Sequence, residues 1–125
     1  METKLLSKQI TSFSFHLNPD MKQVKAEIGT KVQYGTPKTD EDHSAILLVQ
    51  IDVHADNPDD FHVFLEEQIV FAFDAKPADY INVLNELFQT TGIALVSDDF
   101  DKALEGIGKP PIRFKDQFNT TNNAV

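Results

Sequence analysis

Between Ile10 and Asp74, apolar and polar residues alternate with period two in four successive segments, and only after them does the apolar spacing change to three and four residues. Alternation of this kind separates the two faces of a strand, whereas the longer spacing lines one side of a helix. Strands first and helices after predicts an α+β fold: a four-stranded antiparallel β-sheet, meander or Greek-key-like, followed by two helices packed on one face.

The first strand is read from Phe13, Phe15 and Leu17, and Asn18-Pro19-Asp20 ends it with turn chemistry. In the second, Val24, Ala26, Ile28, Val32 and Tyr34 share a face, and Gly35-Thr36-Pro37 closes it. The third carries Leu47, Val49, Ile51 and Val53 inward, and Asp56-Asn57-Pro58-Asp59 reverses the chain into a fourth with Phe61, Val63, Leu65, Ile69, Phe71 and Phe73. A turn that sets Val53 opposite Val63 also sets Ile51 opposite Leu65 and Leu47 opposite Ile69. Glu67 breaks this order, because it falls on the apolar side opposite Val49. A β-bulge that turns it outward is the ordinary explanation, and a functional carboxylate held inward at a cost is the other.

Beyond Asp74, Pro77 fits a helix's first turn, and Ile81, Leu84, Leu87 and Phe88 predict an amphipathic helix from about Ala78 to Thr91. Ser97 with Asp98 and Asp99 resembles the N-cap of a second helix carrying Phe100, Ala103, Leu104 and Ile107. Gly106, Gly108, Pro110 and Pro111 stop it, and Ile112-Arg113-Phe114 runs on extended. Residues 1–114 read as one domain, and 115–125 as a disordered polar tail.

The other face of the third and fourth strands is not simply polar. Ile46, Leu48, Phe64, Val70 and Ala72 share it with Gln50, Asp52, Glu66 and Gln68. A small domain that leaves such a patch uncovered relieves it by self-association or by binding, so a homo-oligomer is expected.

Composition narrows the partners. With 41% hydrophobic residues and ten Phe the chain builds a core, while a formal charge of −9 disfavours nucleic acid and anionic lipid and favours basic polypeptide segments. There is no Cys, hence no thiolate site and no need of an oxidising compartment. The N-terminal residues lack the apolar core of a signal peptide, and no stretch approaches the roughly 18 apolar residues of a membrane span, so a cytoplasmic protein without membrane insertion is expected.

Chemistry-bearing clusters are few. The register places His54 and His62 opposite each other on the outer face, with Asp52 or Asp60 as a third ligand, but exposed His near a turn is more often merely solvated, and the expectation is no metal and no cofactor. Asp40-Glu41-Asp42, Asp59-Asp60 and Asp98-Asp99 fall in turns or caps, where Asp accepts local backbone hydrogen bonds. Gly106-Ile107-Gly108-Lys109 is too short for a phosphate loop, and no nucleophile-elbow spacing occurs, so no catalytic residue is expected and the chain reads as a non-enzyme.

Short segments resemble the SecB export chaperones. Ser7-Lys8-Gln9-Ile10-Thr11 resembles the opening of that family's first strand, Phe64-Leu65-Glu66-Glu67 a Phe-Leu-x-Glu run in its fourth, and Asn85-Glu86-Leu87-Phe88 the start of its long helix. Pro111-Ile112-Arg113-Phe114 resembles its Pro-Val-Asn-Phe, so the likeness runs from about Lys8 to Phe114. A SecB-like group of bacterial proteins is a closer match than the export chaperone itself. The resemblance implies a homo-dimer or homo-tetramer that binds unfolded or extended polypeptide in apolar grooves without nucleotide. Phe13, Phe15, Phe64 and Phe71 are the expected groove residues. It also implies a contact for a translocase motor at Leu65 and Glu67, although Gln9 and Ser14 stand where the family carries two further acidic residues. One dedicated protein is the narrower partner. The alternative readings are a small-ligand or metal-binding protein using the His54/His62 face, or a structural subunit of a larger assembly.

Overall fold

The structure, a computed structural model, describes residues 2–20, 26–57 and 59–113. Four strands, β1 (Thr3–Leu17), β2 (Ala26–Gly35), β3 (Ser44–Ala55) and β4 (Phe61–Phe73), form one antiparallel sheet in the order β1-β4-β3-β2. β2, β3 and β4 follow one another as hairpins, while β1 pairs with β4 at the far side, which makes the Greek key the realised form of the two expected.

The β3–β4 register is the one the apolar pattern predicts: Val53 opposite Val63, Ile51 opposite Leu65, Leu47 opposite Ile69 and Val49 opposite Glu67. Period two then segregates the faces. Leu47, Val49, Val63, Leu65 and Ile69 are all fully buried on the inner face, each contributing about 1.5–3 kcal/mol relative to exposure. At the turn, Asn57 accepts the Asp59 amide on its side chain (3.0 Å) and the Asp60 amide on its carbonyl (2.9 Å), the local bonding for which Asn is favoured there.

Glu67 points inward and is 1% exposed, and the β3–β4 ladder runs past it without a shift. The expected bulge in β4 is therefore absent. The irregularities lie across the ladder in β1, where the register jumps between Leu5 and Ser7 and between Ile10 and Ser12. Leu6 and Thr11 are the extra residues, and each flips the phase of what precedes it. β1 also begins much earlier than its alternation suggests, at Thr3, tied to the end of β4 by the Glu2 amide donating to Asp74 Oδ1 (2.9 Å) and the Asp74 amide donating to the Glu2 carbonyl (3.1 Å).

The two expected helical segments are present but joined: α1 (Tyr80–Leu87), a π-helical turn (Phe88–Gly92) and α2 (Ile93–Gly106) run without interruption. The apolar spacing explains the wide turn. Phe88 and Ile93 are both buried although five residues apart, and a π turn, whose amide of Ile93 donates to the carbonyl of Phe88, brings such a pair onto one side. Gly92 keeps helical angles, so it does not break the run, and Ser97 is buried within α2 instead of capping it. The helix starts later than expected, because Asp79 is its N-cap: Oδ1 accepts from the amides of Ile81 (3.1 Å) and Asn82 (3.3 Å). At the other end Gly108 takes φ +77°, its amide donates to the Glu105 carbonyl and that of Lys109 to the Leu104 carbonyl, which is a Schellman stop. Asp101 then accepts the amides of Ile112 and Arg113, the latter with φ 56° and so not extended.

Two compact units result, Met1–Leu84 with the sheet and Asn85–Val125 with the π turn and α2. The expected strand residue Val24, the end residue Phe114 and the expected disordered tail lie outside the described residues.

Candidate functional site

β1 is an edge strand of 15 residues, so among the described residues one whole side of its backbone lacks a neighbouring strand in the sheet. Its side chains add to that. Leu5, Ile10, Phe13, Phe15 and Leu17 oppose Phe71, Glu67, Leu65, Val63 and Phe61 in the ladder and therefore continue the inner apolar face outward. Phe71, Glu67, Leu65 and Val63 are buried, whereas on β1 Leu5 is 42% and Ile10 39% exposed, and Phe13 and Phe15 are half-buried. Four of the six large apolar residues that are exposed among those described, Leu5, Leu6, Ile10 and Leu17, belong to this one strand. Phe15 sets its ring edge-on to Phe61, with the ring centroids 5.8 Å apart.

The four expected groove residues do not share a face. Phe13 and Phe15 lie on the β1 strip, Phe71 is 2% exposed within the inner face, and Phe64, opposite Ser14, lies on the outer face. Leu65 and Glu67, expected at a partner contact, are 0% and 1% exposed, so neither side chain is offered to a partner in this conformation. The exposed N-terminal half of β1 escaped the alternation test, because its two bulges shift the phase twice.

The outer face is organised in rows across the strands. His54 opposes His62 as expected, and the row extends further, with His16 of β1 opposite His62 and Glu27 of β2 opposite His54. Asp52 Oδ1 lies 3.1 Å from His54 Nδ1 and 3.2 Å from His62 Nε2. His16 Nε2 donates to the Asp59 carbonyl at 2.7 Å, a bond that fixes its tautomer. Four residues along β4 from His62, Glu66 accepts from Gln50 Nε2 and from Thr11 Oγ1, each at 2.7 Å, and these donors, Gln50 first, hold its carboxyl below the ordinary range. Thr11 is the extra residue of the second bulge, so the bulge delivers a hydroxyl to the outer face. Near the sheet's other end a shallow depression of about 200 Å³, lined by Gln33, Tyr34, Gly35, Ile46, Leu48 and Gln68, has room for one side chain.

Asp42 behaves as the turn reading expects, accepting from both the amide (2.9 Å) and hydroxyl (2.6 Å) of Ser44. Among the described residues no three His, Asp or Glu side chains stand as a ready-made metal cage, and no helix is long and apolar enough to cross a membrane.

No protein-family profile and no curated protein sequence matches the chain. Among solved structures it is similar to the SecB-like chaperone of Mycobacterium tuberculosis, determined in complex with a peptide from the HigA1 antitoxin. The two share a TM-score of 0.63 at 10% identity, over 88% of this chain and 83% of that one. Likeness of that extent at so low an identity is a statement about architecture: the chain has a SecB-like fold.

Proposed function

We propose that the protein is a non-enzymatic, chaperone-type homo-oligomer that holds extended polypeptide segments. The observation that carries this reading is the β1 edge, a long open strand whose apolar side chains extend the inner face into solvent. The apolar strip gives an extended chain something to bury, while the open edge's N–H and C=O groups are there to pair with the same edge of a second copy. Pairing of two β1 edges across a two-fold axis lays two strips side by side, giving one longer surface in a dimer, and a dimer of such dimers is the larger form.

The fold supports the same reading. The similar mycobacterial chaperone was determined with an antitoxin peptide, so one dedicated protein with an extended tail is a suitable client, and a translocase motor is the less favoured partner because Leu65 and Glu67 are buried. The charge of −9 selects among clients by attracting basic segments and speeding their encounter. The work needs no nucleotide, and a cytoplasmic place of action accords with a chain that contains no Cys.

Fluorescence anisotropy of a labelled unfolded polypeptide, titrated with the protein, tests this directly. Saturable binding that is tighter for a basic than for an acidic polypeptide and weakens with salt is expected. No anisotropy change at several-fold excess contradicts it.

A further inference from the structure

We infer that two copies pair through β1, antiparallel about a two-fold axis at the Thr11–Ser12 bulge, so that the middle of the apolar strip is built from both copies. This rests on the reading of β1 as the contact between copies and adds which residues meet there. Residues directly opposite in an antiparallel pair lie on the same face of the sheet. The pairing with β4 assigns those faces: the odd-numbered residues face inward from Thr3 to Leu5 and from Phe13 to Leu17, whereas between the bulges Lys8 and Ile10 do.

With the axis at the bulge, Ile10 lies opposite Phe13 of the partner subunit, and Lys8 opposite Phe15 of the partner subunit, all on the inner face. On the outer face Gln9 meets the partner's Ser14, and Ser7 meets the partner's His16. The extra residue of each copy then stands against that of the other, so neither ladder is thrown out of step. The Thr11 hydroxyl donates to Glu66 Oε1 at 2.7 Å, which holds the bulge in the same shape in both copies. Towards the ends, Leu17 reaches the stretch that holds the partner's Leu5 and the partner's Leu6. All four exposed large apolar residues of β1 therefore meet apolar side chains of the other copy. Charge favours the same register. β1 carries Lys4 and Lys8 and no acidic residue, and Lys8 comes beside an aromatic ring. An axis at Lys8 would instead set two ammonium groups opposite each other. Full overlap about Ile10 would set Phe13 opposite a lysine and Leu17 opposite a threonine. One chain alone holds half of the Ile10 and Phe13 cluster at the axis, so the client surface is complete only in the pair.

The chain has no Cys, so disulfide trapping in the full chain reads the register directly. Gln9 and Ser14 are exposed, and in this register each lies within disulfide reach of the other across the axis, whereas within one strand they are about 15 Å apart. Under mild oxidation the double variant Gln9→Cys, Ser14→Cys is expected to run as a covalent dimer on a non-reducing gel, and each single variant as one chain. Should the double variant not fold by circular dichroism, Ser7→Cys with His16→Cys, the next pair on the same face, decides in its place. A wild-type dimer by light scattering whose folded double variant stays uncoupled, or whose single variants couple equally well, overturns the register and leaves the β1 contact standing. A wild-type mass of one chain overturns the contact and the register together.

Discussion

At the scale of single residues, two neighbouring glutamates show how one strand serves two faces. Glu67 is buried between Leu65 and Ile69, where a carboxyl costs free energy that a hydrocarbon would not. Replacement by an apolar residue of similar size is therefore expected to leave stability within about 1 kcal/mol or raise it, whereas Glu67→Lys loses about 3–5 kcal/mol, as read from denaturant unfolding. A large loss in Glu67→Leu contradicts this. Glu66 faces outward, and its depressed carboxyl pKa has a definite sign. The bonds from Gln50 and Thr11 contribute stability that is present above the ordinary Glu value of 4.5 and is lost as pH falls through the lowered folded value. An NMR titration of the Glu66 carboxyl is expected to give a midpoint below 4.5, and Gln50→Leu or Thr11→Val to move it back up. The sequence singled out Glu67 correctly but not the reason for its place. The irregularity it hinted at exists, one strand away, at Thr11.

At the scale of elements, what could be read from the chain and what could not divide along one physical line. β3 and β4 were legible in register as well as extent, because both are continuous, unbulged strands with one buried face. β1 was legible only from Phe13 onward, since the bulge at Thr11 puts Ile10 and Phe13, three residues apart, on one face and the bulge at Leu6 does the same for Leu5 and Lys8, so no constant period runs through the strand. The candidate surface was partly missed for the same cause: Phe13 and Phe15 were found, while Leu5 and Ile10 were not. In the helical region the five-residue step from Phe88 to Ile93 reads as a break, and the π turn that absorbs it belongs to no simple period. His16 was overlooked in the outer-face row because only the β1–β4 pairing brings it beside His62. The edge itself makes a prediction at this scale. Ile10→Lys places a charge on the open strip without disturbing a buried residue, so unfolding midpoints change little while the light-scattering mass falls toward that of one chain. A mass unchanged from wild type would place the assembly contact elsewhere.

At the scale of the whole molecule, the acidic chain, the SecB-like architecture and the uncovered side of β1 support one account, a surface that stays soluble through charge while offering an apolar strip to extended polypeptide. None of the three suffices alone. A charge of −9 is shared by many proteins that bind nothing, and a fold hosts more than one function. The strip links them, because replacing its apolar side chains by serine leaves the charge of −9 unchanged. The decisive measurement is light scattering from an aggregation-prone client refolding beside the protein, with wild type compared with a Leu5→Ser, Ile10→Ser, Phe13→Ser variant. The account predicts that wild type in several-fold excess suppresses the client's aggregation and that the folded variant does not. Aggregation that proceeds unchanged beside wild type, or is suppressed equally by the variant, would contradict it.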